Sequence, residues 1–546
     1  MSNKQPKREN WSGKLGFILA ASGSAVGLGN LWKFPYITWE NGGGLFVLIY
    51  LLCIFFIGLP IMIAEIGLGK ITSRDPVGAF EVLGGKKTPF RFVGVLGVLS
   101  AFLILSFYSV VAGWSIEYSI KSISSDFKEI PIQKLSKLLE DEKNIKHAGK
   151  VAFQESMALP LSDAIKEQLL FDATNENSYL SLSSEELNKV FIQKKDDLSE
   201  LLVKENKLEY WEKKFFNQKS KNKDFNIWIN KILMPAYSSS LFGEFLSNSK
   251  KVVLWHLAIM IICLLIVGAG IKKGIEKTTK YLMPMLLFIM FVLMINSLML
   301  DKEQEGIRFL LFGNPSKWNA LSIPQAMGHA FFTLSLGMGA MLTYGSYMKK
   351  NSDIVSDAIW VTSMDTIIAL LACMMIFPII FVYGLEPTSG GIGILFTTLP
   401  LEFFKFSSGA FLSLLFYVLV FLAALTSAIS LLEVVVTYLK DEWNFSRVKS
   451  VLIGSITIFL AGLPAALHIP FMDYPDTLST TIMLPMGGFL IAIFTGYKVE
   501  KNIFKNEFLN NKYPLWSFNL FYFTIRYITP LAVLIVFSFL IFELFK

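Results

Sequence analysis

Apolar residues along this chain come in long blocks separated by short polar punctuation, and a hydrocarbon core about 30 Å thick needs roughly 20 such residues per helix. Eleven blocks approach or exceed that length, at approximately 14–37, 44–70, 91–120, 251–269, 281–300, 322–348, 356–384, 407–438, 448–467, 478–498 and 515–544. None alternates in the manner of a membrane strand, and lipid admits only helices or closed barrels. The pattern therefore predicts an all-α integral membrane protein with about 11 transmembrane helices. Two blocks are flawed at mid-depth. The first, "LGFILAASGSAVGLGNLWKF", is rich in glycine and serine from Ser22 to Asn30, and the sixth, "HAFFTLSLGMGAMLTYGSY", carries Thr333, Ser335, Gly337 and Gly339.

Composition agrees with the pattern. The 546 residues are 53% hydrophobic and 17% charged, where a soluble domain averages about 25% charged. Lys and Arg gather in alternate short loops: the N-terminus, Lys70 to Arg91, "KKGIEKTTK", Lys349–Lys350, "KDEWNFSRVK" and "KVEKNIFKNEFLNNK". By the positive-inside rule these loops face the cytoplasm, which puts the N-terminus inside and, with eleven spans, the C-terminus on the extracytoplasmic side of the inner (cytoplasmic) membrane. The net charge of +7 then reads as topology, and no nucleic-acid partner is expected. Cys53, Cys263 and Cys373 each lie inside an apolar block, so neither a disulfide nor a metal cluster is expected. The basic start runs on into the first span and its successor without a small-residue cleavage site, so no removable signal peptide is expected either.

The spans group as 1–122, 251–300, 301–498 and 499–546, around a polar stretch at 123–250 on the outer side. "IQKLSKLLEDE", "LSSEELNKVF" and "FNIWINKIL" carry apolar residues at helical spacing, so that stretch is expected to be a helical extracytoplasmic insertion. Without it, five spans run from the first break to the second and five from the second onward. An odd repeat inverts the second copy, and Gly-interrupted helices in matching places of two inverted halves point to a transporter's midplane site. A break there frees N–H groups for an anion and C=O groups for a cation.

The stretches "WSGKLGFILAASGSAVGLGNLWKFPYITWENGGG", "GLPIMIAEIGLGK", "HAFFTLSLGMGAMLTYGSY" and "LTSAISLLEVV" resemble the neurotransmitter:sodium symporter family, in its bacterial amino-acid branch. The resemblance covers the spans and leaves out 123–250. It implies a LeuT-type 5+5 inverted repeat with broken first and sixth helices, and symport of sodium with an amino acid, a small-molecule substrate. Two sodium sites would follow, one from Ala25, Asn30, Thr333 and Asp365 with the substrate carboxylate, the other from Gly23, Val26, Ala423, Thr426 and Ser427. All of these offer oxygen, which hard cations prefer. The carboxylate would rest on amides near Ala25 and Gly29 and on the Tyr108 hydroxyl, with Gly27 leaving room where monoamine transporters carry an aspartate. Ser24, Leu28, Ile104, Phe332, Ser335, Met338, Ala428 and Leu431 would form the side-chain pocket. It is largely apolar, so a neutral, hydrophobic or aromatic amino acid is expected.

The resemblance also implies two gates. Arg8 and Asp441 would pair across the inner mouth, supported by Trp11 and Tyr347. Tyr108 and Phe332 would lid the outer side, with Lys33 facing Asp476, or Asp473, where the family usually has an arginine. Two positions depart from the family. Asp365 stands in place of an asparagine, in "VTSMDTIIALL", and His329 in place of a glutamine. Chloride-dependent members hold their anion near positions matching Tyr50, His329, Thr333, Asp365 and Ala369, so a fixed charge at Asp365 would compensate sodium without chloride. His329 is expected near Asp365, as a proton-binding partner or a hydrogen-bonded core residue. Glu65 and Glu433 are expected to support the broken segments. The competing readings are a substrate sensor on the same fold and a membrane enzyme. The chain lacks the metalloprotease and hydrolase motifs, and "GLGKIT" fails as a phosphate loop.

Overall fold

The computed structural model describes residues 8–124, 126–128, 130–131, 134, 225–300, 303–319, 321–383, 394–404 and 408–544. Among them, nine helices are long and apolar enough to cross a bilayer: Gly44–Thr72, Arg91–Ile123, Ser249–Gly268, Ile271–Leu298, Ile354–Phe381, Gly409–Glu442, Arg447–Leu467, Ile469–Lys498 and Leu515–Phe539. A tenth crossing is the bent pair Lys14–Ala25 and Gly29–Glu40, whose axes differ by 52°. The sixth expected span is two half-helices, Ser322–Thr333 and Ala340–Gly345, each too short to cross alone. Ten of the eleven expected spans are thus found as crossings among the described residues, and the sixth as a pair of half-helices; both breaks fall where the sequence is flawed.

The two breaks use glycine differently. In the sixth span, Ser335, Gly337 and Gly339 sit at φ of 54°, 77° and 74°, a left-handed region where a Cβ is penalised. No residue of the first break is left-handed. There the glycines make room: a Cβ on Gly27 would lie 2.6 Å from Ser427 Oγ and 2.9 Å from Tyr108 Oη, and one on Gly29 would lie 2.8 Å from Phe332. Small residues let membrane helices approach closely, and here they let them approach a site.

The third span, Arg91–Ile123, and the eighth, Gly409–Glu442, are the most enclosed of the crossing helices and pack along one another. The half-helix Lys14–Ala25 lies against the eighth, seventh and fifth spans. Long rigid helices thereby surround the two short broken ones. The chain divides into two compact units, Met1–Ile123 with Phe245–Lys546, and Ser124–Glu244. In the second unit Lys134 pairs with Glu244, and a helix, Phe225–Ser247, begins at the expected "FNIWINKIL". The other two helices expected in the insertion lie outside the described residues.

Candidate functional site

Between the breaks lies a cavity of about 330 Å³ lined by Ser24, Ala25, Gly27, Gly29, Ile104, Tyr108, Phe332, Thr333, Ser335, Met338, Ser427 and Leu431. Ten of the twelve residues expected around a substrate are in that lining. Leu28 and Ala428 are not, though both are buried; Thr333 and Ser427 complete the lining. Hydroxyls tie the first break to the second and to the eighth and third spans. Ser335 Oγ donates to the Ser24 carbonyl at 2.9 Å, Ser24 Oγ donates to Ser430 Oγ at 2.7 Å, and Leu28 N–H donates to the Tyr108 hydroxyl at 3.1 Å.

Two clusters of polar atoms, mostly oxygen, flank the cavity. In the first, the fully buried Asp365 carboxylate accepts from Asn30 Nδ2 at 2.7 Å and from Thr333 Oγ1 at 2.9 and 3.2 Å. Asn30 Oδ1 meanwhile accepts from Gly27 N–H at 2.9 Å, so the asparagine ties the break of the first span to the seventh. In the second cluster, Ser427 Oγ lies 3.2 Å from the Val26 carbonyl and Thr426 Oγ1 3.5 Å from it. Thr426 also bonds back to the carbonyls of Leu422 and Ala423, at 3.2 and 3.0 Å. Such back-bonding is ordinary for a hydroxyl in a helix; the reach across to Val26 is not.

Two expected juxtapositions come out differently and a third does not. His329 makes no hydrogen bond to Asp365: it stacks on Phe34, with ring centroids 5.4 Å apart, and against Tyr50 at 5.7 Å, and neither ring nitrogen has a partner. Asn30 and Thr333 occupy the near side of Asp365 instead. Lys33 forms no ion pair with Asp476 or Asp473 among the described residues; its ammonium lies 4.7 Å from the Phe332 ring centroid, a cation–π contact that keeps it over the cavity's aromatic lid. Glu65 is as expected, fully buried and accepting from Gly337 N–H at 2.7 Å, so it holds the second break open from behind.

Around the start of the first span lies a charged network. Arg8 pairs with Asp441, donates to Ser346 Oγ at 2.8 Å and lies over the Tyr347 ring. Trp11, 1% exposed, donates from Nε1 to the Tyr344 carbonyl at 3.0 Å. Tyr347 donates to Glu433 at 2.7 Å, and Glu433 also receives a two-pronged bond from Arg447 at 2.7 and 3.2 Å.

The family model described as the sodium:neurotransmitter symporter family matches residues 8–169 and 180–546. The chain belongs to this family. The match runs through most of 123–250 as well, which the motifs alone had left outside. An uncharacterized sodium-dependent transporter of Bacillus subtilis is 29% identical, over 98% of each chain. One of Haemophilus influenzae is 26% identical, over 98% of this chain and 99% of its own. The human sodium- and chloride-dependent neutral and basic amino acid transporter B(0+) is 26% identical, over 85% of this chain and 68% of its own. Among solved structures, MhsT in complex with L-phenylalanine aligns with a TM-score of 0.73 at 32% identity, over 97% of this chain and 99% of that one. The symporter therefore has the LeuT-type fold, works in a membrane and couples to sodium. It is a transporter and not an enzyme.

Asp75 belongs to the same charged network, through Asp441, and is a residue that sequence reasoning missed. It caps the helix Pro76–Gly84, accepting from Val77 N–H at 3.0 Å and Gly78 N–H at 3.3 Å, while its own N–H donates to Asp441 at 3.1 Å. Burial, and then the carboxylates of Asp441 and Glu442, push its carboxyl up to about 8. An unfolded aspartate releases its proton near pH 4, about 3.9, so between about pH 4 and 8 the folded symporter holds the extra proton and its stability falls as pH rises. The thermal midpoint in detergent should therefore drop between about pH 6 and 8.5, and Asp75→Asn, which keeps a capping oxygen, should flatten that slope. Parallel curves for the two proteins would remove the assignment.

Proposed function

We propose that the protein imports a neutral amino acid with a hydrophobic or aromatic side chain, driven by sodium, through alternating access about the cavity between the two breaks. The observation that carries this reading is the cavity itself: a space lined mainly by apolar side chains and hydroxyls, with broken backbone on two sides and a cluster rich in oxygen atoms on each flank. On this reading the substrate's carboxylate lies by Gly27 and Tyr108, and its side chain against Ile104, Phe332, Met338 and Leu431. One sodium sits among Ala25, Asn30, Thr333 and Asp365, the other among Gly23, Val26, Ala423, Thr426 and Ser427. A phenylalanine bound to the structural neighbour MhsT supports a substrate of this class.

Asp365 supplies a fixed negative charge at the first sodium, so transport is chloride-independent. Arg8 and Asp441 close the cytoplasmic mouth, Phe332 with Tyr108 the outer one, and Lys33 rides on Phe332 rather than latching to an acid. The N-terminus is cytoplasmic and the C-terminus extracytoplasmic. Purified protein in proteoliposomes, given an inward sodium gradient and labelled amino acids, should accumulate a neutral one, and replacing chloride by gluconate should leave the rate unchanged. No sodium-driven accumulation of any amino acid would sink the function; a sharp fall in gluconate would sink only chloride independence.

A further inference from the structure

Beside the end of the first span that carries Lys14, an open groove of about 1020 Å³ runs between that half-helix and the start of the fifth span. Its lining includes Lys272, Lys273, Lys277 and Lys280 together with Leu15 and Tyr281. All four lysines are exposed, and Leu15 and Tyr281 stand 63% and 69% exposed on helices that enter a bilayer. Apolar groups in that position face acyl chains, whereas ammonium groups of the same stretch reach back to the head-group layer.

The charge is largely uncompensated. Glu276, the carboxylate in the lining, is buried and already accepts from Ser12 N–H at 2.9 Å, with Lys280 2.8 Å away. Glu9, nearby, accepts from Ile271 N–H at 2.8 Å. Among the described residues, Lys272, Lys273 and Lys277 pair with no carboxylate. Three unpaired ammonium groups above exposed apolar side chains match a molecule that is anionic at one end and hydrocarbon at the other. A zwitterionic lipid would carry a neutralising charge of its own into the groove.

We propose that this groove is a binding site for an anionic phospholipid, its phosphate among Lys272, Lys273 and Lys277 and an acyl chain along Leu15 and Tyr281. The bound lipid bridges the inner half of the broken first span and the fifth. The inference uses neither the cavity nor the sodium clusters, so it stands or falls apart from the transport reading.

Each basic residue at an anionic lipid surface is worth about fivefold in affinity. In native mass spectrometry of the detergent-purified protein, added phosphatidylglycerol should be retained in preference to phosphatidylcholine. Lys272→Gln with Lys273→Gln and Lys277→Gln should weaken its binding by roughly 100-fold. Lys86→Gln with Lys87→Gln, exposed lysines of another basic loop, should leave it unchanged. Equal retention by the triple variant, an equal loss in the control pair, or displacement by inorganic phosphate would each overturn the site. A photoactivatable phosphatidylglycerol in phosphatidylcholine vesicles gives a check that needs no variant: labelling should fall on the first-span segment from Ser12 to Leu19 and on Lys272–Pro284, and labelling confined elsewhere would overturn it too.

Discussion

Asp365→Asn should cost the symporter its sodium-driven uptake in chloride-free medium, raising the half-saturating sodium concentration at least thirtyfold. Asp365 is fully buried on the seventh span and accepts from Asn30 and Thr333 at 2.7–3.2 Å. A carboxylate has about four lone-pair sites, so these bonds orient it and still leave acceptor capacity facing the first break. A charge in a membrane helix is costly and persists where it serves a function; on the proposed reading a sodium ion at Ala25, Asn30 and Thr333 is the counter-charge that justifies it. Truncating one partner of a buried charged pair costs 2–5 kcal/mol or more, and about 2 kcal/mol already gives the thirtyfold figure. The variant keeps nearly the same shape, so its loss reports charge rather than packing. Added chloride should then restore part of the uptake, because an anion near Tyr50 and His329 can supply what the carboxylate no longer does. Unaltered sodium dependence in gluconate would show that the charge at Asp365 takes no part in holding the ion.

What could be read from the sequence was set by the length over which each signal extends. Eleven blocks of apolar residues are a signal spread over most of the chain, and up to ten of them are crossings among the described residues, with the sixth as two half-helices. Clustered glycines mark both breaks because no continuous helix tolerates so many without cost, although only the structure separates the left-handed Gly337 and Gly339 from the space-making Gly27 and Gly29. Motif residues in those two breaks and the eighth span likewise fell around one cavity. Pairings between single distant side chains were much less legible. Nothing in the sequence says that Lys33 settles on Phe332 rather than near Asp476, or that His329 turns to aromatic rings while Asn30 claims Asp365. Arg447 was counted only as a topological charge, in "KDEWNFSRVK", since a basic residue there serves the membrane orientation whether or not it also reaches inward. Asp75 gave no signal either, for a capping aspartate before a proline is what any helix start shows.

Arg447 carries the second large effect. Its guanidinium donates to both oxygens of Glu433, at 2.7 and 3.2 Å, and to the Val267 carbonyl at 2.7 and 2.9 Å. Glu433 has no solvent exposure, and its other partners are the hydroxyls of Tyr347 and Thr437. Arg447→Ala would leave a buried carboxylate facing two hydroxyls, and removing one partner of a buried ion pair costs about 3–5 kcal/mol. At about 1 °C per kcal/mol for a chain of 546 residues, from about 2.1 cal/mol/K of unfolding entropy per residue, the thermal midpoint should fall by roughly 3–5 °C, with a matching loss of folded yield. Arg447→Lys should recover only part of it, because an ammonium lacks the fork that engages both carboxylate oxygens. Replacing both partners, as Arg447→Met with Glu433→Leu, removes the stranded charge and should restore the midpoint. Transport should not return with it, since Tyr347 then loses the acceptor that fixes it under Arg8 at the closed mouth. That split between recovered stability and lost uptake distinguishes a gate component from an ordinary buried pair; uptake recovering together with the midpoint would assign Glu433 and Arg447 to stability alone.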